Sequence, residues 1–555
     1  MKNIYILLVL VAVVTSSCED FLNTEPKNKI ALEQYYTDEE GLTQALAGVY
    51  DPLGAEALYG NNLFYKLEAC TDEGFYARSA QKIGVEVYSF DFTNVDIANM
   101  WSTLYTGVNR ANDLIAHIDV PQMDEDKRQQ ILGEALFLRG YYYFMLVSRF
   151  GDVPLKMKPT TSPNNVQIPR TPTAEVYAQI LKDMTEAETK VSTITDLGYP
   201  SRISKTVVQG ILARVCLQMA GYPLMDTAKY ADALSWSKKV IDSGEHALNT
   251  TYDTDPALAS FNPTIAINTS NNAYRQIFIN MARDVYDIKE SMWEIEFKGN
   301  RADGLQETGR LGSQNGITMT GVNFESTLGY CYGFIRGTSR LFNVYNKYGT
   351  GTMDLRRDWT LTTYTFNGST GAKVAITNKT TPYGRDCAKW RREYEVLQPK
   401  NKNHTPINFP VLRYADVLLM HAEAENQVNG PTNAYQYVNQ VRRRGFGLPI
   451  NTTSLVADLP AGLSKANFQL ALEDERMREL CFEGTRRLDL IRWNKFVSTM
   501  NAVGAEMSAA PTPANQQYGG FGGVNVTQKH LLYPIPSSEI LSNKAIPATD
   551  NNPDW

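Results

Sequence analysis

The sequence predicts a mainly α protein, with tetratricopeptide-like paired helices packed against a loop-rich part that contains short strands. Three observations predict it. Residues 37–248 carry apolar side chains three and four apart in successive segments, the spacing of one helix face. Between 249 and 410 that periodicity fades, Gly, Asn and Thr rise, and short alternating segments take over. From 411 to 555 the helical spacing returns. The expected organisation is therefore 1–17 as a signal peptide, 18–36 as anchor and tether, 37–248 as an N-terminal helical part and 249–410 as a mixed part. Residues 411–555 form a second helical part packed on the first.

The chain has 555 residues, 43% hydrophobic and 21% charged, the balance of a globular protein with a large core. No Gly/Ser linker or charge block divides it. Its net charge of −6 is spread over interspersed signs and includes no basic run. Nucleic acid is therefore not an expected partner. Past Cys18, the five cysteines Cys70, Cys216, Cys331, Cys387 and Cys481 are odd in number and far apart, unlike a disulfide framework. Cys216 and Cys481 fall on apolar helix faces.

Lys2 precedes an apolar run from Ile4 to Val14, too short to span a bilayer, and Thr15-Ser16-Ser17 follow. A positive start, a short apolar stretch and small residues describe a secretory signal. Cys18 directly after them resembles a bacterial lipoprotein site: cleavage before Cys18, then acylation of its thiol and freed amine. Several acyl chains on one residue make a stable anchor. The match departs from the usual lipobox in carrying Thr15 where Leu is customary.

Thr37 and Glu40 have the spacing of a capping box ahead of a stripe of Leu42, Ala45, Leu46 and Val49. Trp101, Leu104, Tyr105, Val108, Ala111, Asn112 and Ile115 share one helix face. Residues 126–150 are apolar almost all round, which predicts a buried helix stopped by Gly151. The run Tyr141-Tyr142-Tyr143-Phe144 points in four directions on a helix, so it reads as core. Three further helices are expected over 173–191, 205–219 and 227–243. Paired helices of similar length on short turns suggest tetratricopeptide-like units.

Two loop segments have the composition of a sugar site. In Thr71-Asp72-Glu73-Gly74-Phe75-Tyr76 an acid, a glycine and aromatics are mixed, and Arg78 follows. Asp72 would accept sugar hydroxyls, Phe75 or Tyr76 would stack on sugar C–H groups, and Arg78 would donate. A loop packed on its own aromatics reads equally well. The long loop from Gly299 to Gly337 carries Tyr330, Tyr332 and Phe334 among glycines, with Arg336 beside them. If extended, it puts those three rings on one side. Such long loops are commonly functional. In Ser291 to Phe297, alternation places Trp293, Ile295 and Phe297 on one buried face.

The C-terminal half opens with LRYADVLLMHAEAEN (412–426), where His421 and Glu425 have a metal-compatible spacing but no third ligand. No metal and no cofactor are expected. Next comes YQYVNQVRRR (435–444). Glu475 to Asn494 (ERMRELCFEGTRRLDLIRWN) then sets Glu475, Glu479 and Glu483 in one stripe. Arg478, Arg486 and Arg487 lie three or four residues from them. Gly484 interrupts the helix. Paired carboxylates could serve a glycosidase, but neighbouring arginines pair with acids rather than raise them. The structural reading is a partly buried ion-pair network that joins helices.

That stretch resembles the C-terminal signature of the SusD/RagB family. GEALFLRGYYYFMLVSRFGDVPL (133–155), ARVCL (213–217), the 412–426 segment, LLYPIP (531–536) and the terminal NNPDW resemble further family elements, in order along the chain. Gly140 stands for the family's usual small residue, and the ending has Asp and Trp. The resemblance implies a SusD-like fold and a lipoprotein of the outer membrane, Cys18 carrying the lipid. Glu19 and Asp20, just behind the cysteine, resemble a signal for the outer face. It also implies capture of an oligosaccharide without chemistry and delivery to a SusC-like TonB-dependent transporter. Asp72, Phe75, Tyr76, Arg78, Tyr330 and Tyr332 are the expected ligand contacts. The alternatives are a glycoside hydrolase and a helical scaffold without a sugar site.

Overall fold

The computed structural model describes residues 35–162, 166–252, 272–299, 309–346, 354–378 and 380–555. The expected signal peptide and Cys18 lie outside them. The principal helices are α1 (Glu39–Tyr50), α2 (Val95–Ala116), α3 (Glu125–Phe150), α4 (Thr173–Glu188), α5 (Lys205–Ala220) and α6 (Lys229–Asp242). They are followed by α7 (Ala273–Ala282), α8 (Tyr414–Val428), α9 (Tyr435–Gly445), α10 (Lys465–Leu480), α11 (Arg486–Arg492) and α12 (Phe496–Met507). Strands are β1 (Gly74–Tyr76), β2 (Val153–Pro154), β3 (Arg170–Thr171), β4 (Ser291–Ile295), β5 (Ile335–Gly337), β6 (Tyr364–Phe366), β7 (Lys373–Ala375) and β8 (Phe409–Arg413). They pair antiparallel as β1–β5, β2–β3, β4–β8 and β6–β7.

Local chemistry sets the helix ends. Asn94 caps α2 by accepting from the amides of Asp96 and Ile97, and Ser204 caps α5 through Val207. At α1 the cap is Asp38 rather than Thr37. Its backbone is extended and its carboxylate accepts from Gly41 N at 2.8 Å, so the helix begins one residue later than the capping-box spacing suggests. Gly151, at φ +69°, ends α3 in the left-handed region that a glycine adopts without strain. Phe482 and Gly484 also have positive φ, and this breaks the organising stretch into α10 and α11.

The helices form a continuous series. α1 packs on α2, α2 on α3, α3 on α4, α4 on α5 and α5 on α6; α6 then packs on α8, and α8 on α10. One apolar core runs through the series and takes in Tyr141 to Phe144, Trp293, Cys70, Cys216, Cys387 and Cys481; Cys331 is buried outside it. Close approach of α2 and α3 depends on Gly107, where a Cβ would lie 2.3 Å from the Tyr142 ring.

Strand β4 departs from the expected pattern. Both its faces are buried, because β8 pairs with one edge and helices cover the sheet. Glu294 is therefore inside, hydrogen-bonded by Ser291 Oγ and by Asn408 Nδ2. Burial first, opposed by those two bonds, raises its carboxyl to about 7.

The stripe of three glutamates is fully enclosed. Arg356 reaches Glu475 at 2.7 Å, Glu479 at 2.9 Å and Asp354 at 2.7 Å. Arg413 holds Glu290 and Glu479, each at 2.9 Å, and both oxygens of Glu483 at 2.8 Å. Arg442, Arg444 and Lys389 pair with Glu475, Glu479 and Glu483 respectively. Burial alone would raise Glu479, but Arg444, Arg413 and Arg356 outweigh it and hold the carboxyl at about 2. The network thus ties α9 and α10 to β8 and to the 354–356 and 389 segments. His421, the other residue weighed for metal, bonds Ser237 Oγ at 2.9 Å, and Glu425 accepts from Asn429 and Asn433.

Candidate functional site

Strand pairing brings the two sugar-like loop segments together. In the β1–β5 ladder Gly74 lies opposite Gly337, Phe75 opposite Arg336 and Tyr76 opposite Ile335. Ala77 N donates to Phe334 O at 2.7 Å and extends the ladder by one step. Gly74 is needed there: a Cβ would come 2.8 Å from the Phe482 ring.

The segment from Tyr330 to Phe334 is not continuously extended: Gly333 turns it at φ +62°, a conformation glycine adopts without strain. Tyr332 N and Phe334 N donate to Ser313 O and Gln314 O, each at 2.8 Å, and Cys331 bridges Met319. Cys331 is buried, and the three rings contact one another in succession. Tyr330 meets Tyr332 edge-on at 4.8 Å between centroids. Tyr332 stacks on Phe334 at 4.8 Å and 15°. Phe334 in turn stacks on Tyr76 at 5.5 Å and on Tyr65 at 5.7 Å. The array runs from half-buried Tyr330 and Tyr332 to buried Phe334, Tyr76 and Tyr65.

Fixed contacts hold this shape. Arg392 donates to Tyr330 O at 2.7 Å while bound to both oxygens of Glu395 at 2.7 and 2.9 Å. Gly329 precedes the array at φ +85°, and a Cβ there would lie 2.8 Å from Arg392. Ser313 Oγ donates to Lys402 O at 2.7 Å and so seats Lys402 beside the same strand. The Lys402 ammonium lies 4.2 Å from the Tyr330 centroid and 5.1 Å from that of Tyr332. A hydrogen bond with Tyr332 raises its pKa. At the other end, exposed Arg78 lies 5.1 Å from the Phe334 centroid.

Two of the expected ligand contacts are corrected. Asp72 is buried, and both its oxygens accept from Arg486 at 2.9 and 2.8 Å. This carboxylate fastens the loop to α11 and has no oxygen turned to a bound sugar. Phe75 points to the other side of β1, away from Tyr76, because successive side chains on a strand alternate. It is buried against Val503 and Met507, with Tyr518 edge-on at 6.2 Å. Tyr76 lies in the array, but as a buried backing ring. Phe334, its hub, and Lys402 were outside the expected set. Phe334 was legible in the alternation with Tyr330 and Tyr332; nothing local marks Lys402.

A cleft of about 900 Å³ lies elsewhere, between α1, the start of α3 and the end of β4. Of its charged groups, Lys127 pairs with Glu39 at 2.6 Å, and Arg202 pairs with Glu134 beneath it. It shares no residue with the array. Among the described residues no cluster of side chains has the make-up of a metal site, and no helix is long and apolar enough to cross a membrane.

Residues 289–555 match the sequence profile of the SusD family, and residues 20–217 match a profile described as "Starch-binding associating with outer membrane". SusD-like protein P25 of Formosa agariphila is 24% identical, over 96% of this chain and 95% of its own length. A SusD homolog from Bacteroides thetaiotaomicron superposes with a TM-score of 0.81 at 27% identity, over 96% of this chain and 100% of that one. Surface glycan-binding protein A from Bacteroides fluxus superposes with a TM-score of 0.66 at 20% identity, over 94% of this chain and 100% of that one. With both halves matched by profiles of one family and the fold shared over nearly its whole length, the chain belongs to the SusD family.

Proposed function

We propose that this protein captures an oligosaccharide at the Tyr330–Tyr332–Phe334 array and passes it to a SusC-like TonB-dependent transporter. The observation that carries this reading is the joining of two aromatic segments by β1 and β5 into one ring ladder with a cation at each end. Tyrosine suits such work: the ring face offers dispersion contact to sugar C–H groups and the hydroxyl offers hydrogen bonds. Arg78 and Lys402 would donate to sugar oxygens from the two ends. Tyr76 and Tyr65 back the array and keep Phe334 in place.

In this reading the protein acts by binding alone. The carboxylates of the organising stretch are enclosed by arginines, the reverse of the raised and accessible acid that glycosidic cleavage uses. Acylated Cys18 would anchor the chain to the outer membrane, with the body facing outward and tethered through 36. The energy of uptake would come from the transporter's partner across the periplasm, not from this chain. Support for glycan binding also comes from the family description and from the glycan-binding protein of B. fluxus, which shares the fold.

The test is affinity electrophoresis of residues 19–555 against plant, microbial and host polysaccharides, with reducing ends assayed in the same samples. Retardation without new reducing ends is the expected outcome. New reducing ends would establish the hydrolase reading instead. Transporter binding without any glycan retardation would establish the scaffold.

A further inference from the structure

We infer that the ligand of the array is an anionic oligosaccharide, one whose sugars bear carboxylate or sulfate groups. This inference rests on the reading of the array as a glycan site. Arg78 and Lys402 stand at opposite ends of the ring ladder, and neither forms an ion pair with a carboxylate among the described residues.

Most acids around the array are already engaged; among the described residues, buried Glu86, beside Tyr65 and Tyr76, forms no ion pair. Asp72 is held by Arg486, Asp386 by Arg336 and the amide of Thr318, Asp96 by Lys66, and Glu395 by Arg392. Glu325 adds to the raised pKa of Lys402 without pairing with it. Among the described residues Arg78 and Lys402 therefore have no ion-pair partner, on a protein whose net charge is −6.

Lys402 also decides which ligand gains most. Its ammonium covers Tyr330 and Tyr332, the two least buried rings. A neutral sugar that stacks there has to displace a cation from its aromatic partners. An anionic sugar gives the displaced ammonium a charge-assisted hydrogen bond in exchange. Arg78 can bind a second carboxylate or sulfate with its planar fork. Because Ser313 anchors both Tyr332 N and Lys402 O, the first of these cations and the rings are positioned by one residue.

The experiment measures dissociation constants of residues 19–555 for two matched pairs. One is polygalacturonate and its fully methyl-esterified form; the other is a sulfated galactan and its desulfated product. The expected result is binding of at least one anionic member about tenfold or more tighter than its neutral partner, with that pair naming the charged group. Arg78→Gln and Lys402→Gln should each weaken it about tenfold, with Lys402→Arg retaining most of the affinity. Tyr332→Ala should remove binding, and Lys82→Gln, an exposed cation off the array, should leave it unchanged. Equal binding of charged and neutral members, insensitive to Arg78→Gln and Lys402→Gln but lost in Tyr332→Ala, would overturn the anionic preference and leave the glycan site standing. Binding of none of the four probes would overturn the anionic preference, and the glycan site itself then stands or falls on the wider polysaccharide panel above.

Discussion

Single carboxylates in this protein are driven in opposite directions by their surroundings. Glu73 is buried beside Asp72; burial is the largest influence, Arg486 opposes it, and its carboxyl rises to about 8. The folded state thus keeps a proton that the unfolded chain releases near 4.5. Folding binds the proton across that interval, so this contribution to stability is full at acid pH and is lost as pH rises through about 8. Glu73→Gln should therefore melt higher than the parent at pH 8 and lose that advantage near pH 5. A shallower fall between the two should remain, because Glu294 is raised to about 7 and titrates there too. Thermal melts across pH check this. Glu479 is the opposite case. Replacing it by Gln would leave Arg444 only its 3.5 Å pairing with Glu290 and would remove a partner of Arg356 and Arg413. A loss of about 3–5 kcal/mol in denaturant unfolding is expected. The stripe of Glu475, Glu479 and Glu483 was legible from its four-residue spacing. Its complete burial was not, because Arg356, Arg413 and Lys389 come from segments distant in sequence. Asp72 was misread for the same reason: its partner Arg486 is 414 residues away.

At the scale of elements, two helical glycines that look alike in sequence should answer oppositely to alanine. Gly107→Ala puts a Cβ 2.3 Å from the Tyr142 ring and should cost about 1–3 kcal/mol by forcing α2 from α3. Gly48→Ala meets nothing within 4 Å on α1 and should stabilise by about 0.5–1 kcal/mol through helix propensity. Chemical denaturation of the two variants checks both signs. The helices were legible because their apolar stripes repeat, and α3 reads as buried because from Ile131 to Phe150 only Glu134, Arg139, Ser148 and Arg149 interrupt apolar, aromatic and small residues. The site's two loops were legible one by one from composition. Their pairing was not: β1 and β5 are three residues each, and nothing in a three-residue strand names its partner. Likewise the alternation in 291–297 gave the strand but not the cover over its second face.

For the whole molecule, buried ion pairs make acid the vulnerable side. Glu479 and Asp416 are each held at about 2, burial opposing and arginines prevailing. Both groups have depressed carboxyls, so the stability they contribute is present above their ordinary values of 4.5 and 3.8 and is lost as pH falls toward 2. Melting temperature should drop steeply across that acid range, because the network links α8, α9 and α10 to β8, and the core shared by both helical series opens with it. The same rigidity serves function in the account proposed here: the ring ladder is fixed by β1, β5 and Arg392 before any ligand arrives, so little ordering accompanies binding. The most direct test is the affinity of the parent and of Tyr332→Ala for the glycan that retards the parent, with both folded by circular dichroism. The account predicts retardation of the parent, no new reducing ends, and loss of binding in Tyr332→Ala. Undiminished binding by a folded Tyr332→Ala would contradict it and move the site away from the array.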